Sequence, residues 1–263
     1  MHIKIFLYFA IYAFLGWCLE SVYKTILEKK PINSGFLYGP FCPIYGFGAI
    51  IMIILLQGLK DNIIALFCVS TVVLTIWEYV VGVILEKVFK TKYWDYSDLK
   101  FNINGRVCLK NSIYWGILGV IFTLIIHPTI RQAVSLMSNH MIFHMTLIIY
   151  IILITDIVIS ITKVLFIDKK IKQINEMGEM IKEKLAELKQ ADMLEKVSKE
   201  NILLKISELK EQQAILKYKI YKLIVRLKKA FPTMQSDTIS KFMNQKIELI
   251  GKQKDKTRKE KEK

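Results

Sequence analysis

Long apolar runs separated by short polar stretches make up the first 165 residues of the chain. The five runs are Ile3–Val22, Phe41–Gln57, Ile63–Leu85, Ser112–Ile126 and Met141–Leu165. A bilayer core of about 30 Å needs about 20 helical residues, which the third and fifth runs supply outright. The second and fourth runs are shorter, and need flanking residues or cover from neighbouring helices. We predict a helix for each run, because lipid cannot satisfy open backbone polar groups.

After Phe166 the pattern changes to that of amphipathic helices. Apolar residues recur at spacings of three and four at Ile167, Ile171, Ile174, Ile181, Leu185 and Leu188, and again at Ile206, Leu209, Leu216, Ile220, Leu223 and Leu227. Asp192 breaks the register between the two stretches, and Pro232 ends the second. This spacing predicts coiled-coil-like packing, either between subunits or as a hairpin folded back on itself.

The predicted fold class is therefore all-α: a polytopic membrane helical bundle of five spans, followed by a cytoplasmic coiled-coil-like helical extension. The predicted domains are a transmembrane domain over residues 1–165 and amphipathic helices over residues 166–231. Residues 232–263 are expected to form a short helix at Ser236–Ile250 and a basic, disordered tail at Lys252–Lys263.

Charge is concentrated at the end of the chain. Residues 1–165 carry 13 Lys and Arg against 8 Asp and Glu, whereas residues 166–263 carry 25 against 15. From the N-terminus through the successive loops, the Lys and Arg counts alternate low, high, low, high, low, high. With five spans, this predicts a plasma-membrane protein with its N-terminus outside and with loops one and three and the C-terminus in the cytoplasm. The composition excludes a secreted disulfide-rich domain and a fully disordered chain.

Three carboxylates lie inside the predicted spans, where an ionisable group is costly and is a functional candidate by default. Counted from the outer ends of their helices, Glu20, Glu78 and Asp156 all lie at a depth of roughly 22–26 Å. They predict a substrate or ion site near the cytoplasmic side, with Arg106 of the third loop paired to one of them. In the alternative interpretation, these acids pair with loop Lys or Arg and only lock the helices together.

Two cytoplasmic loops contribute further candidates for the lining of this site. Glycine and proline punctuate an aromatic first loop that cannot be a plain helix, which predicts a re-entrant or tightly packed segment. The third loop combines interfacial aromatic residues with polar ones. The loop candidates are Gly35, Tyr38, Pro43, Tyr45, Trp94, Asp95 and Asn104.

The usual signatures of catalysis and cofactor binding are missing from the sequence. It contains no P-loop, no dinucleotide-binding glycine motif, no H-E-x-x-H and no nucleophile elbow, so no intrinsic ATPase and no catalytic residue is predicted. The four cysteines form no C-x-x-C pair. His140 and His144 are four residues apart but have no carboxylate partner, which favours interfacial residues over a metal site. We predict no cofactor, no metal and no nucleic-acid partner.

Several motifs together resemble one family of multi-pass membrane proteins. They are Gly16-Trp17-Cys18-Leu19-Glu20, the loop from Gly35 to Gly48, Trp77-Glu78-Tyr79 with Leu85-Glu86, Trp94-Asp95-Tyr96-Ser97 and Asn104-Gly105-Arg106-Val107. The chain resembles the ABC-transporter type IV permeases of low-GC Gram-positive bacteria over about residues 1–165, and Ala230-Phe231-Pro232 is similar to a feature of their C-terminal extension. The resemblance implies a transport subunit that uses a separate ATPase.

Three functions stay open on the sequence. The first is a permease-like subunit with a polar site near its cytoplasmic side, which predicts an ATPase partner at the cytoplasmic loops. The second is a membrane-anchored sensor or scaffold, in which residues 166–231 bind a protein partner or a second copy of the chain. The third is a membrane-embedded enzyme that uses the acids on a lipid, and no nucleophile supports it. Membrane lipid is an expected partner in each case.

Overall fold

The structure, a computed structural model, describes residues 2–190 and 196–244. Its helices are α1 His2–Glu28, α2 Pro43–Leu55, α3 Ile63–Phe89, α4 Leu109–Ile121, α5 His127–Ser135, α6 Asn139–Leu165, α7 Ile167–Gln190 and α8 Lys196–Ala230. A π-helical segment, Phe122–Ile126, joins α4 to α5. Two short antiparallel strands, β1 Asn102–Ile103 and β2 Val107–Cys108, interrupt an otherwise all-α chain, so the predicted class is confirmed.

Four helices are long and apolar enough to cross a membrane. They are Ile3–Glu28, Ile63–Phe89, Leu109–Ser135 and Asn139–Leu165. These helices make the chain a multi-pass membrane protein of the helical class. The remaining apolar helix, α2, has 13 residues and is therefore about 20 Å long, short of the bilayer core. A fifth span through α2 stays a prediction.

Local chemistry sets the ends of these helices. Pro43 occupies the start of α2, where its missing N–H costs nothing. The side chain of Asn62 caps α3 by accepting a hydrogen bond from the backbone N–H of Ala65, and Lys90 ends the same helix in a left-handed conformation. These boundaries leave the loops at residues 29–42 and 90–108 free to form the irregular structure that carries the site.

Small residues bring the helices together in pairs. Tyr45 of α2 packs directly on Gly16 of α1, and Ser70 of α3 packs on Gly119 of α4. Such small residues permit close helix approach in membranes, where packing rather than water drives association. One hydrophobic core cluster of the described residues joins these elements and consists of Tyr12, Ala49, Met52, Leu56, Leu66, Leu74 and Phe122.

The chain divides into two compact units. The first contains Met1–Ile161 together with Lys228–Gln235, and the second contains Thr162–Leu227 and the described residues from Ser236 onward. In the second unit, the side-chain amide of Gln213 in α8 donates to the backbone carbonyl of Ile174 in α7 at 2.8 Å. The two amphipathic helices therefore meet within one chain, whereas their packing as a coiled coil stays a prediction.

Two predictions fall partly outside the described residues. Residues 237–244 are helical, in agreement with the short helix expected there, but the rest of that helix lies outside the described part. The disordered tail predicted for Lys252–Lys263 and the register break at Asp192 also lie outside it.

Candidate functional site

The segment between α1 and α2, residues 29–42, is the irregular loop that the sequence predicts. We call it the α1–α2 loop. It is non-helical, and it closes against the middle of α1, where the N–H of Cys42 donates to the carbonyl oxygen of Ala13 at 2.9 Å. Ala13 is about 15 Å along the helix from Ile3 at 1.5 Å per residue. The end of the loop therefore lies beside the membrane-spanning part of α1, where irregular backbone is tolerated only under protein cover.

Side chains of α1 supply much of that cover. The Ser21 hydroxyl accepts a hydrogen bond from the N–H of Ser34 at 3.1 Å, and the Trp17 indole donates to the side-chain oxygen of Asn33 at 2.6 Å. Gly35 has a φ of +93°, and a Cβ there would lie 2.6 Å from the Cys42 sulfur. Glycine is required at this predicted site residue by both the backbone conformation and the space available.

Asp156 of α6 holds the tip of the same loop. Its carboxylate accepts hydrogen bonds from the N–H groups of Tyr38 at 2.9 Å and Gly39 at 2.6 Å, and from the Ser160 hydroxyl at 3.1 Å. This intramembrane acid thus accepts hydrogen bonds from backbone N–H groups that form none within a helix or strand. These contacts anchor the loop to α6.

Glu20 of α1 lies between a lysine and a thiol. The Lys24 ammonium is 2.5 Å from its Oε1, and the Cys42 thiol is 3.8 Å from its Oε2. Cys42 is buried, so its thiol is shielded from reagents as long as this packing persists.

Glu78 of α3 is buried, with 5% of its surface exposed. Its two oxygens accept hydrogen bonds from neutral donors, the Trp115 indole at 2.9 Å and the Tyr96 hydroxyl at 3.2 Å. Within the described residues, no Lys, Arg or His forms an ion pair with it. A buried carboxylate without a cation partner is expensive to maintain, which marks it as a candidate functional group.

Two tyrosines interact with both Glu20 and Glu78. Tyr45 of α2 interacts electrostatically with both acids, and its ring centroid is 5.7 Å from that of Trp115. Burial, and then the charge and hydrogen bond of Glu78, raise the pKa of the Tyr96 phenol, and Glu20 contributes in the same direction. We call Glu20, Tyr45, Glu78 and Tyr96 the carboxylate cluster. Asp156, the third predicted acid, has its partners at the tip of the α1–α2 loop.

The prediction that Arg106 pairs with one of the three intramembrane acids is wrong. Both its Nε and its Nη2 donate to Oε2 of Glu86, at 3.0 and 2.8 Å. Glu86 is two turns beyond Glu78 along α3, about 12 Å nearer the helix end, and therefore meets the loop first. Gly82, between the two acids, packs against the side chains of Arg106 and Trp94.

This ion pair predicts a specific pattern of charge reversal. We expect Arg106→Glu and Glu86→Arg each to lower the free energy of unfolding by on the order of 1 kcal/mol, because each places two like charges together at the edge of α3. The double reversal should recover most of that loss in thermal unfolding of the purified protein. A matched pair, Arg106→Glu with Glu78→Arg, should show no recovery. Equal recovery in both pairs would contradict the assignment.

The remaining loop candidates take positional roles. The Trp94 indole donates to the Arg106 carbonyl oxygen at 2.8 Å and so holds two parts of the third loop together. The Asn104 side chain donates to the Tyr79 hydroxyl at 3.1 Å and so attaches this loop to α3. Asp95 accepts from Lys92 at 2.7 Å and from the Gln235 side chain at 2.6 Å. Burial raises the pKa of the Asp95 carboxyl, but the hydrogen bonds from Lys92 and Ser97 outweigh that effect, and the pKa is lowered.

Lys24 agrees with the alternative interpretation of the sequence, in which the acids pair with loop Lys or Arg, and its position four residues after Glu20 is a signal for an ion pair. Two other contributors to the site escape sequence reasoning. Cys42 carries no metal or redox spacing, and its role in the packing gives no sequence signal. Trp115 belongs to an apolar run, and its hydrogen bond to Glu78 depends on the pairing of α3 with α4.

No cluster of three or more potential metal ligands occurs in the part of the chain that the structure describes. Of the histidines singled out by the sequence, His144 contacts the ring of Phe143 at 5.5 Å between centroids. His127 is buried and its Nδ1 lies 2.8 Å from the Tyr12 hydroxyl oxygen. The contact of His127 is that of a packed residue, whereas His144 is exposed.

The helices and the cluster together define a class: a multi-pass helical membrane protein with a buried carboxylate, Glu78, and an irregular loop packed against its first helix. The model of the family described as Putative ABC-transporter type IV matches residues 7–161, more than half of the chain. The chain belongs to this family, as its motifs predict. No curated protein and no solved structure matches it.

Proposed function

We propose that the protein is the membrane subunit of an ABC-type transporter and that the carboxylate cluster is its solute site. Membership of the transporter family supports the general role. The observation that carries the site is Glu78, a buried intramembrane carboxylate held by two neutral donors. A solute with a cationic or hydrogen-bond-donating group would satisfy this carboxylate better than the indole and phenol do, which gives binding at this point a driving force.

The proposed topology has five spans in the plasma membrane, with the N-terminus outside and the C-terminus in the cytoplasm. The alternation of Lys and Arg between loops supports it. The short α2 would be the fifth span, because the α1–α2 loop continues its path beside α1 under protein cover. In this orientation the carboxylate cluster opens toward the cytoplasm.

Transport of this kind needs a source of energy that the chain itself does not encode. Its sequence contains no P-loop, so a separate ATPase subunit would have to supply hydrolysis. The cytoplasmic surfaces available to such a subunit are the α1–α2 loop and the loop from Lys90 to Cys108. Affinity purification of the tagged full chain from native membranes should recover a nucleotide-binding subunit. Recovery of none would overturn the transporter assignment.

Glu78→Gln tests the site within that complex. We expect at least a tenfold loss of solute-stimulated ATP hydrolysis, because a hydrogen bond to a charged group contributes about 1.5–3 kcal/mol and a tenfold change corresponds to about 1.4 kcal/mol. Glutamine keeps the shape and can still accept from Trp115, so the fold should persist. Glu86→Gln, on the same face of α3 but bound to Arg106, is the matched control. If the two variants show equal solute-stimulated ATP hydrolysis, Glu78 is not part of the solute site.

A membrane-anchored sensor or scaffold is the second candidate. The observation that favours it is the second unit, in which α7 and α8 meet through Gln213 and Ile174 and bury Ile171, Ile181 and Ile220. Such a unit can bind a protein partner or a second copy of the chain. In this case, deletion of residues 166–263 would abolish function, whereas Glu78→Gln would have little effect.

A further inference from the structure

A segment near the C-terminal end belongs to the membrane unit, although the chain on both sides of it belongs to the other unit. We call this segment, Lys228–Gln235, the docking segment. The residues before it, Thr162–Leu227, and those after it, from Ser236 onward, belong to the second unit. The second unit is therefore joined covalently to both ends of a peptide that is bound on the first.

Backbone and side-chain hydrogen bonds hold the docking segment on the third loop. Lys92 and Gln235 form an antiparallel bridge, with N···O distances of 2.9 and 2.8 Å. The N–H of Asp95 donates to the Thr233 hydroxyl at 3.1 Å, and the Gln235 amide donates to the Asp95 carboxylate at 2.6 Å. This is a single β-bridge between the backbones, with side-chain hydrogen bonds that add sequence specificity.

Apolar contacts complete the docking surface. The ring of Phe231 meets that of Tyr93 edge to face, with 5.0 Å between centroids. Tyr93 is 2% exposed, and Ala230 and Met234 of the docking segment are also buried. Edge-to-face aromatic pairs contribute about 0.5–1.5 kcal/mol beyond the area that they bury. The surface therefore fits an aromatic residue followed by a turn, from Phe231 to Met234, and by the bridge residue Gln235.

Lys24 connects the docking segment to the carboxylate cluster. Its ammonium donates to the Ala230 carbonyl oxygen, lies 5.3 Å from the centre of the Phe231 ring, and forms the ion pair with Glu20. A lysine side chain without the first two contacts would have many rotamers and a hydrated head group. The docking segment thus helps to fix the cation that neutralises Glu20.

We propose that the docking segment is a releasable lock on the carboxylate cluster: when bound to Lys92, Tyr93 and Asp95, it holds Lys24 on Glu20 and keeps the cluster closed. Release frees the Glu20 carboxylate and opens the packing around Cys42. Whatever the second unit binds acts on this lock through the two covalent connections. The proposal rests on the proposed function only in taking the cluster as the functional site.

The test uses the full chain carrying Lys92→Cys and Gln235→Cys, reconstituted in nanodiscs. Residues paired by two backbone hydrogen bonds have Cα atoms about 5.5 Å apart, a separation that a disulfide spans. Oxidation locks the segment. In the reduced protein both cysteine substitutions remain, so Asp95 has lost its contacts with the side chains of Lys92 and Gln235. The docking segment is then held only weakly. The readout is the rate of maleimide labelling at Cys42, measured by mass spectrometry after the reductant is removed.

We expect Cys42 to be labelled at least tenfold faster in the reduced protein than in the oxidised one, because Cys42 is 3% exposed while the cluster is closed. Labelling of the buried Cys108 should stay slow in both states, which reports that the fold is intact. Lys229→Ala, an exposed position within the segment, should label Cys42 at the wild-type rate. Equal rates in the two redox states, or failure of the disulfide to form, would overturn the proposal.

This outcome does not depend on transport. If Glu78→Gln leaves ATP hydrolysis unchanged but reduction exposes Cys42, Glu78 is not part of the solute site and the lock stands. If Glu78→Gln abolishes stimulated hydrolysis but Cys42 is labelled equally in both redox states, the site stands and the lock fails.

Discussion

Replacement of Asp156 by alanine is expected to destabilise the membrane unit by about 2–6 kcal/mol. The carboxylate accepts hydrogen bonds from the N–H groups of Tyr38 and Gly39, and alanine removes the acceptor of both bonds. An unsatisfied buried donor costs about 1–3 kcal/mol, and lipid offers no water to replace the lost acceptor. Thermal unfolding in detergent micelles measures the effect, with an expected fall in Tm on the order of 10 °C.

Two further variants separate the anchor role of Asp156 from a general effect of mutation. Ser160→Ala removes one donor to the same carboxylate and should cost no more than about 1 kcal/mol. Asp156→Asn keeps one carbonyl oxygen but turns an amide donor toward the other N–H, so its stability should lie between those of wild type and Asp156→Ala. If Asp156→Ala unfolds with the same Tm as Ser160→Ala, the loop is not held by this carboxylate.

The effect should also reach the carboxylate cluster. The α1–α2 loop ends at Cys42, which contacts Glu20, and a loop released at Tyr38 and Gly39 no longer holds that end in place. Asp156→Ala should therefore increase maleimide labelling of Cys42 even at temperatures where the helices remain folded. In that case Asp156 is required for the packing of the carboxylate cluster although it has no direct contact with the cluster.

The sequence predicts the spans well because hydrophobic length is a strong signal. Hydrophobic length does not give the full extent of a helix, as Leu109–Ser135 shows. The apolar run Ser112–Ile126 covers only the centre of this helix, because polar residues at both ends continue it. The short hairpin at residues 102–108 was not predicted, although Asn104-Gly105 is a turn signal. Its strands have two residues each, too few for a periodic pattern.

The candidate site is predicted less completely, because its contacts join distant parts of the chain. Glu20, Glu78 and Asp156 stand out as intramembrane charges, but their partners do not. Asp156 binds backbone N–H groups, which every residue but proline carries, so no side-chain pattern announces them. The sequence places Arg106 on the same side of the membrane as the three acids. It does not give the height along α3 at which the third loop meets the helix, and at that height the acid is Glu86.

The docking segment is the least predictable feature. Its contacts with Lys92 and Asp95 join residues about 140 positions apart, and neither side carries a periodic pattern. Only the motif Ala230-Phe231-Pro232 marks the segment in the sequence, through its resemblance to an extension of the family. Docking of this kind depends on the completed third loop, whose shape is fixed by Gly105 and Asp95 rather than by local propensity.

Gly16→Ala is the second substitution with a large expected effect, because it adds a single carbon where α1 and α2 meet. The nearest atoms to a Cβ at Gly16 are Cβ and Cγ of Tyr45, too close for any side-chain rotation to relieve. The helices must separate, at a cost of about 1–3 kcal/mol, even though alanine favours a helix over glycine by about 1 kcal/mol. We expect a lower Tm and a perturbed carboxylate cluster.

Gly58→Ala is the matched control, since a Cβ at Gly58 meets no atom within 4 Å and should change the free energy of unfolding by no more than about 0.5 kcal/mol. Combining Gly16→Ala with Tyr45→Gly should cost less than the sum of the two single substitutions, because the Cβ and Cγ that clash with the added methyl group are gone. The coupling between the two substitutions, measured by a double-mutant cycle of thermal unfolding, should be at least about 0.5 kcal/mol. Additive effects would mean that α1 and α2 do not meet at Gly16.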